Sequence, residues 1–85
     1  MQIIYSPTFL RQYKKLEQDV RRASEKKECI FRENPHDTRL KTHKLHGRLE
    51  NLWAFSITVK IRVVFEFAEE GTVIFHAIGP HDIYA

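Results

Sequence analysis

The sequence predicts an α+β domain in which a helical hairpin packs on a small, antiparallel-rich sheet. Two patterns lead there. Phe9, Tyr13, Leu16, Val20 and Ala23 recur at alternating four- and three-residue spacings, which is one face of helical sequence. From Trp53 the apolar period becomes two: Trp53, Phe55, Ile57 and Val59, then Ile61, Val63, Phe65 and Phe67. A helix-period half followed by a strand-period half segregates helices from an antiparallel meander.

Each element has its own signals. Gln2 to Tyr5 alternates loosely and reads as a short first strand. Ser6-Pro7 starts a helix, with serine as the N-cap and proline at the first helical position. Gln18-Asp19 breaks the helical run into a hairpin, with Asp19 capping a second helix that extends to about Glu33. Ile30 is expected to face the core, with Cys29 or Phe31 flanking it. Asn34-Pro35 stops this helix, because the residue before a proline avoids the helical region. An extra short strand fits Leu40 to Leu45. The runs from Trp53 and Ile61, the turn Ala68 to Gly71 and a last strand Thr72 to Ile78 complete the order βααβββ(β). One sheet face packs the helices, and the other carries Arg62, which is too costly to bury unpaired.

Eighty-five residues make a single domain, residues 1–85, near the lower limit for one independent core. The lone Cys29 forms no internal disulfide and is read as core rather than nucleophile. No secretory signal or long apolar stretch is seen, so a cytoplasmic protein with no membrane association is expected.

The net charge of +3 merely permits a polyanion partner, but its distribution is uneven. Between Thr38 and Leu49 lie Arg39, Lys41, Lys44 and Arg48, with His43 and His46 among them and no acid. That is the footprint of a phosphate-binding stripe, against the blander alternative of a solvated basic loop. His43-x-x-His46 with His36 invites zinc, but no cysteine pair or carboxylate supports it, and no metal or cofactor is expected. At the other end, Gly79-Pro80 punctuates the last strand and projects His81 beyond the sheet. An imidazole there suits proton transfer.

Four segments resemble the RelE/ParE superfamily of bacterial toxins, and together they span essentially the whole chain. Ile4-Tyr5-Ser6-Pro7-Thr8-Phe9 is similar to the family's strand-to-helix entry. Glu33 to Asp37, then Arg39 to Leu45 and Gly47, is similar to the segment before its central sheet. Leu52 to Phe55 with Ile61 to Phe65 resembles its central hairpin, and Gly79, His81-Asp82 and Tyr84 resemble the tail of its YafQ-like branch. The resemblance implies the RelE-like βααβββ(β) fold and a toxin paired with a cognate antitoxin. In the RelE, YoeB and YafQ branches it also implies cleavage of messenger RNA in the ribosomal A site. Operator DNA would be met only through the antitoxin.

By the same resemblance, His81 matches the C-terminal catalytic histidine and is assigned general acid or base. Arg62 matches the arginine after the central hairpin of YoeB-like toxins, and its forked donors suit a scissile phosphate. An ion pair with Glu66 is its structural alternative. His43 lies where YafQ-like toxins place a functional histidine and is the second acid-base candidate, with His46 as fallback. Arg39, Lys41, Lys44 and Arg48 are read as RNA-backbone binders. Tyr84 is expected to stack on a base or to pack the tail on the sheet. The further histidine and aspartate of the YafQ-like hairpin are absent from Ser56 to Ile61. The competing functions are a ParE-like DNA gyrase inhibitor, which needs no such constellation, and an inactive homologue that only binds antitoxin and co-represses its operon.

Overall fold

The computed structural model describes residues 1–47 and 51–84, without the side chain of Tyr84. Strand β1 (Gln2–Tyr5) leads into α1 (Pro7–Lys14) and α2 (Gln18–Glu33). A 3-10 turn, Thr38–Leu40, precedes β2 (His43–Lys44), β3 (Trp53–Ser56), β4 (Ile61–Phe67) and β5 (Thr72–Pro80). A second 3-10 turn, His81–Tyr84, follows. The five strands form one sheet in the order β1-β5-β4-β3-β2. Only the β1–β5 pair is parallel, which the intervening helices permit by returning the chain across one face. The expected order therefore holds, and the optional strand is β2.

Ser6 is the N-cap of α1: its Oγ accepts the Phe9 N–H at 3.0 Å and donates to the His76 carbonyl at 2.8 Å, tying the helix start to β5. The cap of α2 differs from expectation. Glu17 occupies it without a side-chain hydrogen bond, and Asp19 sits inside the first turn, where a negative charge favours the helix dipole. The Arg21 guanidinium donates to the Leu16 carbonyl and, at 3.5 Å, to the Lys14 carbonyl, holding the interhelical turn.

Tyr13, Leu16, Ala23 and Ile30 all pack on the cluster that holds Phe9, so the stripe continues past the break, but it runs along the edge of the inner face of α2. Phe31, not Ile30, is the central core residue of α2, fully buried with Ile30 at the margin and Cys29 exposed. Its ring stacks on Phe55 at 4.9 Å and meets Phe65 and Phe75 edge-on at 4.9 and 5.4 Å. Ile3, Phe9, Leu40, Ile57, Val63, Val73 and Ile78 complete this buried cluster between helices and sheet.

Strand β3 is shorter than its alternating run. Ile57 to Lys60 form the turn, and Val59 at its tip is 91% exposed. Thr58 makes this turn without glycine: its Oγ1 accepts the Lys60 and Ile61 N–H groups at 3.2 and 3.1 Å. Ala54 and Phe55 are both buried, so β3 is covered on both faces. Over the face away from the helices, Leu45, Ala54 and Val64 form a second apolar cluster with Leu52, Ala77 and Ile83 against it.

Candidate active site

Arg62 stands on β4 opposite Ser56 of β3 and Gly79 of β5, on the face away from the helices. Its Nη1 donates to Ser56 Oγ at 2.7 Å and its Nε to His81 Nδ1 at 3.3 Å. Glu66 is taken by His76 at 2.8 Å, so the structural alternative of an Arg62–Glu66 pair is not formed. Arg62 has no carboxylate partner among the described residues. An arginine only donates, so His81 Nδ1 is the acceptor and a neutral ring carries its proton on Nε2.

What brings His81 back to Arg62 is the tail. Gly79 remains in β5 instead of ending it, and a Cβ there would lie 2.6 Å from Ile83 Cγ2. The missing side chain is thus the notch into which Ile83 folds, and Ile83 also packs on the second apolar cluster. Rather than projecting away, the His81–Tyr84 turn lies back on the sheet face that carries Arg62.

His43 shares that face, since it pairs with Ala54, which pairs with Val64, two residues from Arg62. Two interstrand steps and one two-residue step put its Cα about 12 Å from that of Arg62. His43 Nδ1 is 3.0 Å from the Lys41 carbonyl. A carbonyl only accepts, so Nδ1 carries the proton and Nε2 the lone pair of the neutral ring. Lys41 itself is left-handed (φ 54°, ψ 40°), an uncommon conformation for a side-chain-bearing residue, and it turns the chain from the 3-10 turn into β2. Lys44 pairs with Trp53 and belongs to the opposite pleat from His43, while His46 is exposed beyond β2. The expectations placed on Arg48 and on the Tyr84 side chain lie outside the described residues.

A cleft of about 350 Å³ opens between α2, the Thr38–Leu40 turn and the β3–β4 turn. Among the described residues its charged lining is Lys27, Arg39, Lys41 and Arg62, all cations. Arg39 is partly answered by Asp37, whose carboxylate takes its Nε and Nη2 at 2.9 Å each. These bonds, then the Arg39 backbone N–H, hold the Asp37 carboxyl down at about 2. Lys27 and Ser56 were not singled out from sequence. Lys27 had a signal: Val20, Ser24, Lys27 and Phe31 lie on one inner line of α2, and the ammonium interrupts it. Ser56 had only its alternation with Ala54.

Solved structures with this architecture share its full extent. A YoeB/ParE toxin from Agrobacterium tumefaciens superimposes with a TM-score of 0.82 at 15% identity, over 95% of this chain and 99% of that one. YafQ from E. coli gives 0.78 at 14% identity, over 94% and 92%. The fold is that of the RelE/ParE-type toxins. A heterotetrameric YoeB–YefM toxin–antitoxin complex from Staphylococcus aureus contains the same toxin fold, at TM-score 0.77 and 16% identity over 95% and 97% of the chains. At these identities the likeness is one of fold. No protein-family model matches the sequence, and no curated protein matches it significantly. Among the described residues no helix is long and apolar enough to cross a membrane.

Proposed function

We propose that this chain is the toxin of a type II toxin–antitoxin pair and a ribosome-dependent, metal-independent endoribonuclease acting on messenger RNA in the A site. The observation that carries this reading is the Arg62–His81 contact on a toxin fold, a fixed cation and an imidazole sharing one solvent-facing spot. Arg62 stabilises the charge that builds on the phosphorane as the 2′-hydroxyl attacks. His43, with its lone pair on Nε2, takes the 2′-hydroxyl proton, and His81, as the imidazolium it becomes once the phosphate draws Arg62 off its Nδ1, gives its Nε2 proton to the departing 5′-oxygen. A phosphate arriving at Arg62 competes for the donors that now hold Ser56 and His81. Arg39, Lys41, Lys44, His46 and Arg48 bind the strand backbone, and Tyr84 stacks on a base.

The toxin–antitoxin complex among the similar structures supports a cognate antitoxin as partner. An acidic or amphipathic antitoxin segment over the basic face would neutralise the cleft, in the helix-in-groove manner. Operator DNA is reached through that antitoxin, and the site of action is the cytoplasm.

Primer extension on messenger RNA in a translating extract tests the reading. Wild-type protein is expected to give codon-phased cuts that need ribosomes. His81→Ala and Arg62→Ala should each reduce cutting about 100-fold or more, with circular dichroism unchanged. Intact messenger with the wild-type protein refutes it, and inhibited gyrase supercoiling in the same preparation would establish the ParE-like alternative.

A further inference from the structure

We propose that the cleft beside the β3–β4 turn is a second phosphate subsite, centred on Lys27 and Lys41, which takes a backbone phosphodiester of the strand whose scissile phosphate sits at Arg62. It rests on the ribonuclease reading for the identity of its ligand and on the cleft's own chemistry for the rest.

Beside apolar Ile57 and Val59, the polar side chains of the lining are cations and hydroxyls. Thr58 Oγ1 already accepts two backbone N–H groups, which leaves its hydroxyl proton to give. Ser56 Oγ already accepts from Arg62 and likewise keeps a proton to give. Lys27 makes a single bond, to the Arg39 carbonyl at 3.0 Å, and forms no ion pair among the described residues. Its ammonium has two further donors, and the residue is half-buried on the inner line of α2. Arg39 is engaged by Asp37, so Lys27 and Lys41 are the cations whose charge remains for a ligand.

Asp37 offsets Arg39, but Lys27, Lys41 and Arg62 still place like charges around one cleft, and these repel each other. A group with several acceptor oxygens and negative charge relieves that repulsion and meets every donor, which describes a phosphodiester. Because the cleft includes Arg62, a strand bound there runs continuously from the Arg62–His81 centre to α2. Lys27 thereby joins a helix to a site otherwise built from strands and turns.

The test is fluorescence anisotropy with a short, end-labelled 2′-O-methyl oligonucleotide, which lacks the attacking hydroxyl and reports binding without cleavage. Lys27→Gln keeps a donor for the Arg39 carbonyl and removes the charge. Lys26→Gln, on the exposed side of α2 outside the cleft, changes the net charge identically. Loss of one phosphate contact should lower the salt slope by about 0.7 and affinity about fivefold at ~0.1 M salt for Lys27→Gln. Lys41→Gln should behave similarly and Lys26→Gln should leave both values unchanged. Equal losses in Lys26→Gln and Lys27→Gln would reduce the effect to net charge and overturn the subsite. So would unchanged affinity in Lys27→Gln, even if inorganic phosphate alone shifted the Thr58 amide resonance, since that would mark a free-phosphate site. Failure of the ribonuclease reading would appear in primer extension, separately from this binding result.

Discussion

Replacing Gly79 by alanine tests how the fold delivers His81 to Arg62. The strand conformation at Gly79 carries no left-handed strain, so the alanine backbone fits and the effect is purely steric. The new Cβ would meet Ile83 Cγ2 at 2.6 Å. Carbon pairs rest at about 3.5–4.0 Å, so Ile83 must retreat by about 1 Å. His81 precedes Ile83 by two residues in the same turn, and a shift of that size stretches its 3.3 Å contact with Arg62 past hydrogen-bonding range. Overpacking of this kind costs about 1–3 kcal/mol, and each kcal/mol lowers the melting temperature of a domain this size by about 4–8 °C. Ile83→Ala removes the struck methyl, and because Ile83 is only partly buried its loss costs about 1–2 kcal/mol, below the range for full burial. In the double variant the clash is gone, so Gly79→Ala should add almost nothing to Ile83→Ala, a coupling equal to its whole single-variant cost of about 1–3 kcal/mol. Thermal unfolding of the four proteins measures the cycle, and the ring nitrogens of His81 by NMR report the contact. Additive single effects, or an unperturbed His81 signal in Gly79→Ala, would refute the notch.

Two further outcomes follow. Burial, then the hydrogen bond to Glu28 at 2.7 Å, raises the Tyr5 phenol above its usual value, so its contribution is complete below pH ~10 and is lost as pH rises through the higher folded value. Urea unfolding across that alkaline window should show stability falling in the wild type and less so in Tyr5→Phe; identical curves would remove Tyr5 as the cause. The two candidate histidines should occupy opposite neutral tautomers in alkaline solution, Nδ1–H in His43 and Nε2–H in His81, and nitrogen chemical shifts showing one tautomer in both would overturn one of the two hydrogen bonds that set them.

The fold was legible wherever one local rule acted alone. Ser6-Pro7, Asn34-Pro35 and the alternation through Ile61 to Phe67 each name an element, and the structure has each. Phase was harder to read. A stripe extrapolated across the Lys15 to Glu17 break selects Ile30, at the edge of the inner face of α2, where packing selects Phe31. Gly79 reads as punctuation because sequence cannot show that Ile83 returns to fill the space above it. Arg62 and His81 were nameable from a resemblance, whereas their contact depends on that return. Ser56 needed the β3–β4 register, and Lys27 needed the depth of the cleft, before either could be connected to Arg62.

The two faces of the sheet divide the work. The helix side holds the interlocked phenylalanines, and its contacts are those that a small domain needs to fold. The other side has a thin apolar cluster closed by Ile83, and around it stand groups that fold stability alone does not explain. Arg62 has no acidic partner among the described residues, Lys41 takes a left-handed turn, and Lys27 interrupts an otherwise inward helical line. Each weakens the isolated chain a little, through repulsion, backbone strain or desolvation. All of them line one continuous cleft, so a single polyanionic strand, or a single acidic segment, would relieve them together. On the proposed function, that common remedy ties substrate and inhibitor to the same surface. An antitoxin would then need only to supply negative charge to the cleft to exclude RNA, and by binding only the folded form it would also stabilise the protein it silences.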